Sequence, residues 1–392
     1  MGALDGIKVV EVGLHVQGPQ AALTLADWGA EVVKVELPGF GDQARWLPIE
    51  PGETRSAYFI ANNRGKRSVT LDLRHPEGQE VFARLVTRSD VLVTNFKPGT
   101  MEGWGLGYVE LSARNPRLIY AASSTYGVEG SDAGREGADL SAQAAGGLIS
   151  TTGRRGGEVT PVGAAVADHI GSQNLVAGVV AALFHRERTG QGQRVLTSLL
   201  GGQVWAQNSE LTRWLLTGQA AGPADRGNPM IPGLYAIFPT ADGWIAVVGV
   251  VGAARTTFYE AVGRPELAER FAQPLYWQDD KAALYPLLDE VFVTRTTDEW
   301  CEVLGKAGLR YAPVRDHGQV VADPGVWANG YIVHAEGAAG TTAVVAPPVD
   351  FSASPARADS TVPELGQHTE EVLLEVGYTW DEITALRDGG AL

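Results

Sequence analysis

The sequence predicts an α/β fold: a large domain built on a mainly parallel sheet, with a smaller α+β domain inserted before the C-terminus. Three observations predict it. Short β-rich runs alternate with helical runs through the first third of the chain, as strands with helices on both faces require. One long Ala- and Gly-rich helical run follows. Beyond a loop-like stretch at 218–232, two β-rich runs flank Asp242-Gly243, a hairpin signal.

The elements follow in order. Residues 7–12 (IKVVEV) read as a first strand, 19–28 as a helix opened by Pro19, and 31–36 (EVVKVE) as a second strand. The unit repeats with strand 68–73 and helix 76–88, and strands at 90–96 and 117–122 follow. Residues 140–149 read as a helix of small residues, and a glycine-rich turn follows at 152–157. The long helix is expected over 170–188, apolar at Leu175, Val176, Val179, Ala182 and Leu183 and ended by Gly190. Strands at 234–239 and 244–250 begin the smaller domain. Capping boxes at Thr296 with Glu299 and at Thr379 with Glu382 mark later helix starts. The expected division is 1–215 for the first part of the large domain, 225–325 for the small domain, and 326–392 for a return to the large domain.

The 392 residues are 44% hydrophobic and 20% charged, enough to bury a real core. The net charge of −15 argues against nucleic acid as a partner, because phosphate binding needs a basic surface. A polyanionic ligand would have to rely on local basic residues and helix N-termini. The single cysteine, Cys301, excludes an intrachain disulfide and a cysteine-rich metal site, and no metal is expected. No apolar run approaches a membrane span, and the N-terminus does not read as a signal peptide, so a cytoplasmic location and no membrane partner are expected.

The turn Gly13-Leu14-His15-Val16-Gln17-Gly18-Pro19 stands where a dinucleotide fingerprint would, and Glu36 where its ribose-binding acid would. The glycine spacing does not fit, which disfavours a nicotinamide-dependent oxidoreductase. Segments 95–99, 123–127 and 135–139 lie at corresponding strand ends, where ligands bind in parallel sheets. Asp168 precedes the long helix and reads locally as its N-cap. The same position, at the positive end of a helix, would hold a carboxylate ionised as a nucleophile requires. His169 reads as structural.

Taken in order, LDGIKVVEV, HVQGP, GAEVVKVE, NNRGKRSVTLDL, DVLVTNFKPGTME, GLGYVEL, GREGADLSAQAAGG, VADHIGSQN, HRERTGQGQRV, GNP, PTADGW, YAPV and LGQHTEEVL span nearly the whole chain. Together they resemble the family III CoA-transferases, the group that includes formyl-CoA transferase, carnitine CoA-transferase and α-methylacyl-CoA racemase. The resemblance implies a Rossmann-like large domain, an interlocked homodimer, and transfer of coenzyme A from an acyl-CoA donor to a carboxylic acid acceptor. No cofactor is implied beyond the CoA thioester substrate itself.

Asp168 falls on the family's nucleophile, which passes through an aspartyl acyl-anhydride and an aspartyl-CoA thioester. Gln17 falls on the residue that positions or polarises the acyl carbonyl, within the acyl-site loop of His15 and Val16. Leu71, Arg74, Asn95, Phe96 and Thr100 fall on CoA-contacting positions; His15, Val16, Arg135 and Asp139, the last on an acidic position near the active site, are expected to bind the CoA substrate as well. The family's racemases carry a histidine where this chain has Ala138, which disfavours racemase or isomerase activity. The retained Asp168 weighs against a non-catalytic subunit of a heteromeric transferase. Gly103 and Leu37 replace family arginines, and formyl-CoA transferase's glycine-rich loop has no counterpart between Arg226 and Tyr235.

Overall fold

The protein is described by a computed structural model covering residues 1–272, 278–338 and 340–392, with the side chains of 278–280 not described. Its chain divides into two compact units, one of residues 1–146, 164–206 and 324–392 and the other of residues 147–163 and 207–323. The division after 206, and the assignment of 147–163 to the second unit, differ from the boundary at 215 read from the sequence. The stretch 147–163 is tied to its unit by backbone bonds from Ala224 to Thr151 and from Asp225 to Gly153, pairings too distant in sequence for local patterns to show.

The first unit begins with β1 (Lys8–Val12), α1 (Gln17–Asp27), β2 (Glu31–Glu36), α2 (Ala57–Asn63), β3 (Arg67–Thr70), α3 (Pro76–Thr87), β4 (Val91–Thr94), α4 (Thr100–Gly103), α5 (Tyr108–Arg114), β5 (Ile119–Ser124) and α6 (Asp139–Ala145). After α7 (Leu148–Thr151), which belongs to the second unit, it resumes with α8 (Val166–Thr189), β6 (Gln193–Ser198) and α9 (Leu199–Ala206). Its strands form one sheet in the order β3-β2-β1-β4-β5-β6, every pairing parallel. The order reverses between β1 and β4, the point at which ligands bind outside the strands' carboxyl ends in such sheets.

The expected long helix starts earlier than the sequence indicates, at Val166. It ends as expected, with Gly190 in the left-handed conformation at φ 77°. Its buried stripe of Leu175, Val176, Val179, Ala182 and Leu183 packs with Ala21, Ala22 and Leu25 of α1 and with Val9, Val91 and Ile119 of the sheet. The other face of the sheet packs on Val81, Phe82, Leu85 and Val86 of α3. The helix read at 140–149 is two helices, interrupted at Gly146-Gly147, where Gly147 takes φ 84°.

The second unit continues with α10 (Asn208–Thr217), β7 (Leu234–Pro239), β8 (Trp244–Val250), α11 (Ala254–Ala261), α12 (Glu266–Arg270), α13 (Gln278–Phe292), α14 (Thr297–Lys306), β9 (Arg310–Pro313) and α15 (His317–Ala322). The hairpin lies where its turn signal puts it, and β9 adds a third antiparallel strand. Phe238, Phe258, Phe292 and Trp300 make an aromatic core, against which Cys301 packs half-buried.

The chain returns to the first unit through α16 (Pro324–Ala328), the antiparallel pair β10 (Ile332–Ala335) and β11 (Thr342–Val345), α17 (Thr369–Glu375) and α18 (Trp380–Asp388). Arg64 clamps this return: it binds both oxygens of Asp27 at 2.7 Å and donates to the carbonyls of Asp359 and Val345. Val372, Leu373, Ile383 and Leu386 then enter the core beneath α3. Among the described residues, no helix is long and apolar enough to cross a membrane.

Candidate active site

Asp168 occupies the third position of α8, inside the first turn, and Ala165 is the N-cap. The cap hydrogen bonds come from another helix. Asp139, the first residue of α6, accepts from the backbone N–H groups of Ala167 (2.7 Å) and Asp168 (3.1 Å) through one carboxylate oxygen. Its other oxygen accepts from the Gln143 side chain at 2.6 Å. Ala142, Ala167 and Leu199 form a small apolar cluster that holds α6 against this turn.

This arrangement corrects the expectation that the helix start keeps Asp168 ionised. The free N–H groups of the turn are spent on Asp139, and the Asp168 carboxyl takes no hydrogen bond from a described residue. Burial, reinforced by the adjacent Asp139 charge, pushes Asp168 up to about 7. A carboxylate titrating near neutrality, free of internal partners and only half-buried, is open to a ligand.

Gln17 opens α1 and is buried. Its amide nitrogen donates to Ser123 at the end of β5, whose hydroxyl also accepts from Thr197 of β6 at 2.8 Å. The amide lies against Gly171, where a Cβ would come within 2.5 Å of the Gln17 nitrogen. Gly171 is one turn beyond Asp168 on α8, so the Gln17 amide and the Asp168 side chain meet the same helix face. His169 accepts no catalytic partner in this arrangement; its ring pairs with Gln20 of α1 at 2.8 Å, consistent with a structural part.

His15 adopts φ 63°, a costly conformation for a residue with a Cβ. Its backbone N–H donates to Asp42 at 3.0 Å, and its ring meets the Gln43 side chain at 3.0 Å. Val16 is buried as the α1 cap residue.

A cavity of about 290 Å³ lies outside the carboxyl ends of β1, β2 and β3. Of the CoA-contact positions implied by the resemblance, Leu71, Arg74 and Phe96 line it, together with Gly13, Leu14, Phe40, Asp42, Gln43 and Trp104. Asn95 does not line it: its side-chain amide both accepts from and donates to the backbone of Leu14, at 2.8 Å each. Asn95 therefore shapes the turn that carries His15 and Val16. Thr100 stands at the start of α4 and is likewise outside the lining, and exposed Arg135 lies over the Tyr126 ring with its guanidinium donating to that phenol. Arg74 is exposed and paired with Asp72 at 2.7 Å.

Glu36 also lines the cavity, with its carboxylate already engaged. Arg45, Ser68 and the Asp42 N–H all donate to it. Burial opposes its ionisation, but Arg45 and Lys34 outweigh that and hold it below its usual value. It is not available to a ribose. Phe40, Asp42, Gln43 and Trp104 escaped the sequence reading. The signal that could have found them is their position just after β2 and β4, at the strand ends flanking the switch point.

A family model described as CoA-transferase family III matches residues 4–369. The succinyl-CoA–D-citramalate CoA-transferase of Chloroflexus aurantiacus is 32% identical over 391 residues, covering 98% of this chain and 96% of that protein. The succinyl-CoA:glutarate CoA-transferase of Homo sapiens is 31% identical over 380 residues, covering 95% and 86%. Among solved structures, a CAIB/BAIF family protein from Brucella suis matches with a TM-score of 0.85 at 33% identity, over 96% of this chain and 99% of that one. With sequence and fold agreeing over almost the full length, the chain belongs to CoA-transferase family III.

Proposed function

We propose that this family III CoA-transferase moves CoA from an acyl-CoA to a carboxylic acid acceptor, with Asp168 as nucleophile and succinyl-CoA as the first donor to test. The observation that carries the reading is the Asp168 carboxyl itself. It is half-buried, without an internal hydrogen-bond donor, and one helical turn from the Gln17 amide. The donor class comes from relatives named for succinyl-CoA.

The chemistry balances without an external proton or cofactor. An Asp168 oxygen attacks the thioester carbonyl, the C–S bond breaks, and CoA thiolate leaves an aspartyl acyl-anhydride. The thiolate attacks the aspartyl carbonyl, releasing the donor acid and leaving an aspartyl-CoA thioester. The acceptor carboxylate then attacks that thioester, and the returning thiolate takes the new acyl group and frees Asp168. The carboxylate thus splits one difficult exchange into easier steps. One of the two Gln17 amide hydrogens is committed to Ser123; the second is free to polarise the acyl carbonyl as negative charge develops there. The cavity lined by Leu71, Arg74 and Phe96 is suited to part of the CoA moiety.

The experiment is covalent trapping. Protein incubated with succinyl-CoA and hydroxylamine should carry a hydroxamate on the peptide containing Asp168, and Asp168→Ala should lose both adduct and CoA transfer. Transfer undiminished in Asp168→Ala would sink the mechanism. Deuterium uptake at the acyl α-carbon in heavy water would instead point to proton transfer. The interlocked homodimer is part of the proposal; exposed Trp205, Leu215 and Leu216 are apolar side chains that a partner subunit would cover. Light scattering should give twice the chain mass.

A further inference from the structure

The NNRGK segment and the lysine within EVVKVE have no part in the chemistry above, yet both end in the same buried charge cluster. Lys34, in the middle of β2, donates to Glu11 (3.0 Å) and to the Gly13 carbonyl (3.0 Å), and pairs with Asp42 at 2.9 Å. Lys66 donates to Glu11 (3.1 Å), to the Pro19 carbonyl (2.8 Å) and to the Asn63 side chain (2.8 Å). Glu11, Lys34, Asp42, Asn63 and Lys66 are each at most 4% exposed.

Each ammonium has three partners, hydrogen-bonded in every case except Asp42, which Lys34 meets as an ion pair. Two of those six contacts fall on Gly13 and Pro19, the backbone carbonyls that bracket the loop carrying His15, Val16 and Gln17. Asp42 adds a third hold from the same cluster by accepting the His15 N–H, where φ is 63°. Such a cluster is a poor source of stability, since apolar residues of similar volume commonly do as well or better. What it supplies is direction, because a buried ammonium that donates to a carbonyl fixes that carbonyl.

We propose that Lys34 and Lys66 are positioning residues that hold the Gly13–Pro19 segment, a turn running into the first turn of α1, through the carbonyls at its two ends, and so hold the Gln17 amide against α8. The inference rests on the transferase reading for the purpose of Gln17; the tether itself does not.

The test separates charge balance from positioning. Lys66→Met leaves the cluster with one excess negative charge, and Lys66→Met with Glu11→Gln restores neutrality without restoring the donor to Pro19. Three readouts are taken on the full chain: thermal midpoint, amide hydrogen exchange over residues 13–20 without substrate, and steady-state kinetics with succinyl-CoA. The double variant should regain most of the thermal midpoint lost in Lys66→Met. Its loop should still exchange roughly 10-fold faster than wild type, and kcat should stay down about 10- to 100-fold with KM within about threefold, as displacement of a reacting group predicts. A merely structural cluster would instead let kcat and loop protection recover together with the midpoint. That result, or wild-type exchange over 13–20 in the double variant, overturns the proposal. Should the wild-type protein turn over no acyl-CoA, the transferase reading fails, and loop exchange alone decides the tether.

Discussion

Replacing Asp168 by Asn should abolish CoA transfer and at the same time stabilise the protein, with the gain growing above about pH 4 and full above about pH 7. The folded carboxyl lies at about 7 against an ordinary value of 3.8, mainly through burial and secondarily through Asp139. Between those values the native state keeps a proton that the unfolded chain has released. Stability therefore falls as pH rises from about 4, and the loss is complete above about 7. The full difference corresponds to roughly 4 kcal/mol. Asp168 is only half-buried, and solvent screening brings the expected effect to about 1–3 kcal/mol. Asparagine has the same size and no charge to desolvate, so it escapes the loss. Thermal midpoints of the two proteins should nearly coincide at about pH 3.5 and diverge by roughly 1–4 °C at pH 8, with the Asp168→Asn variant the higher. A midpoint difference that is the same at both pH values, or a variant less stable at pH 8, would refute the reasoning that the carboxylate is held in a site built against its charge.

Further outcomes follow from the same geometry. Asp139→Asn keeps an oxygen for the Ala167 and Asp168 N–H groups while removing the charge. The rising limb of kcat/KM against pH should move to lower pH by up to about one unit, whereas Asp139→Ala should also cost about 1 kcal/mol in denaturant unfolding as the helix cap is lost. Gly171→Ala puts a Cβ within 2.5 Å of the Gln17 amide, a movable group, so kcat should drop by about 10-fold or more with little change in thermal midpoint. Arg74→Ala, at the exposed rim of the cavity, should raise KM for the acyl-CoA by about 3- to 10-fold with kcat nearly unchanged.

The parallel sheet was legible because its strands are short apolar runs set between helical stretches and punctuated by Gly and Pro. The hairpin around Asp242-Gly243 was legible because turn chemistry is local. β6 and β9 were not: QRVLTS and RYAP carry mixed polarity and gain their strand character from β5 and β8 alongside. The N-terminus of the long helix escaped for a sharper reason. Asp is a favoured cap, so Asp168 reads as one, yet the carboxylate that serves as cap is Asp139 on α6. No local rule sees a cap supplied by another helix. Lys34 illustrates the opposite case, since a lysine amid the valines of a strand covered on both faces must find buried counter-charges. That demand is visible in EVVKVE; the identity of Glu11 and Asp42 as the answer is not.

The proposed nucleophile Asp168 and its neighbour Asp139 suggest how a carboxylate can be half-buried and still react. Had Asp168 taken the helix N–H groups, they would have stabilised its charge in the resting state and had to be surrendered, at least in part, on attack. Here Asp139 takes them, so the resting Asp168 holds no internal hydrogen bond that bond formation must break. The cost is a carboxyl that is only partly ionised at neutral pH; what is gained is an oxygen whose charge is least solvated where a thioester carbon would meet it. That trade predicts a particular asymmetry. Asp139→Asn, by easing ionisation, should raise the rate below pH 7, yet lower the limiting rate above about pH 8, where ionisation is already complete and a better-stabilised carboxylate is a weaker nucleophile. Rates measured from pH 5.5 to 9 on both proteins would show the two profiles crossing. Parallel profiles would mean that Asp139 caps the helix and has no influence on its neighbour's reactivity.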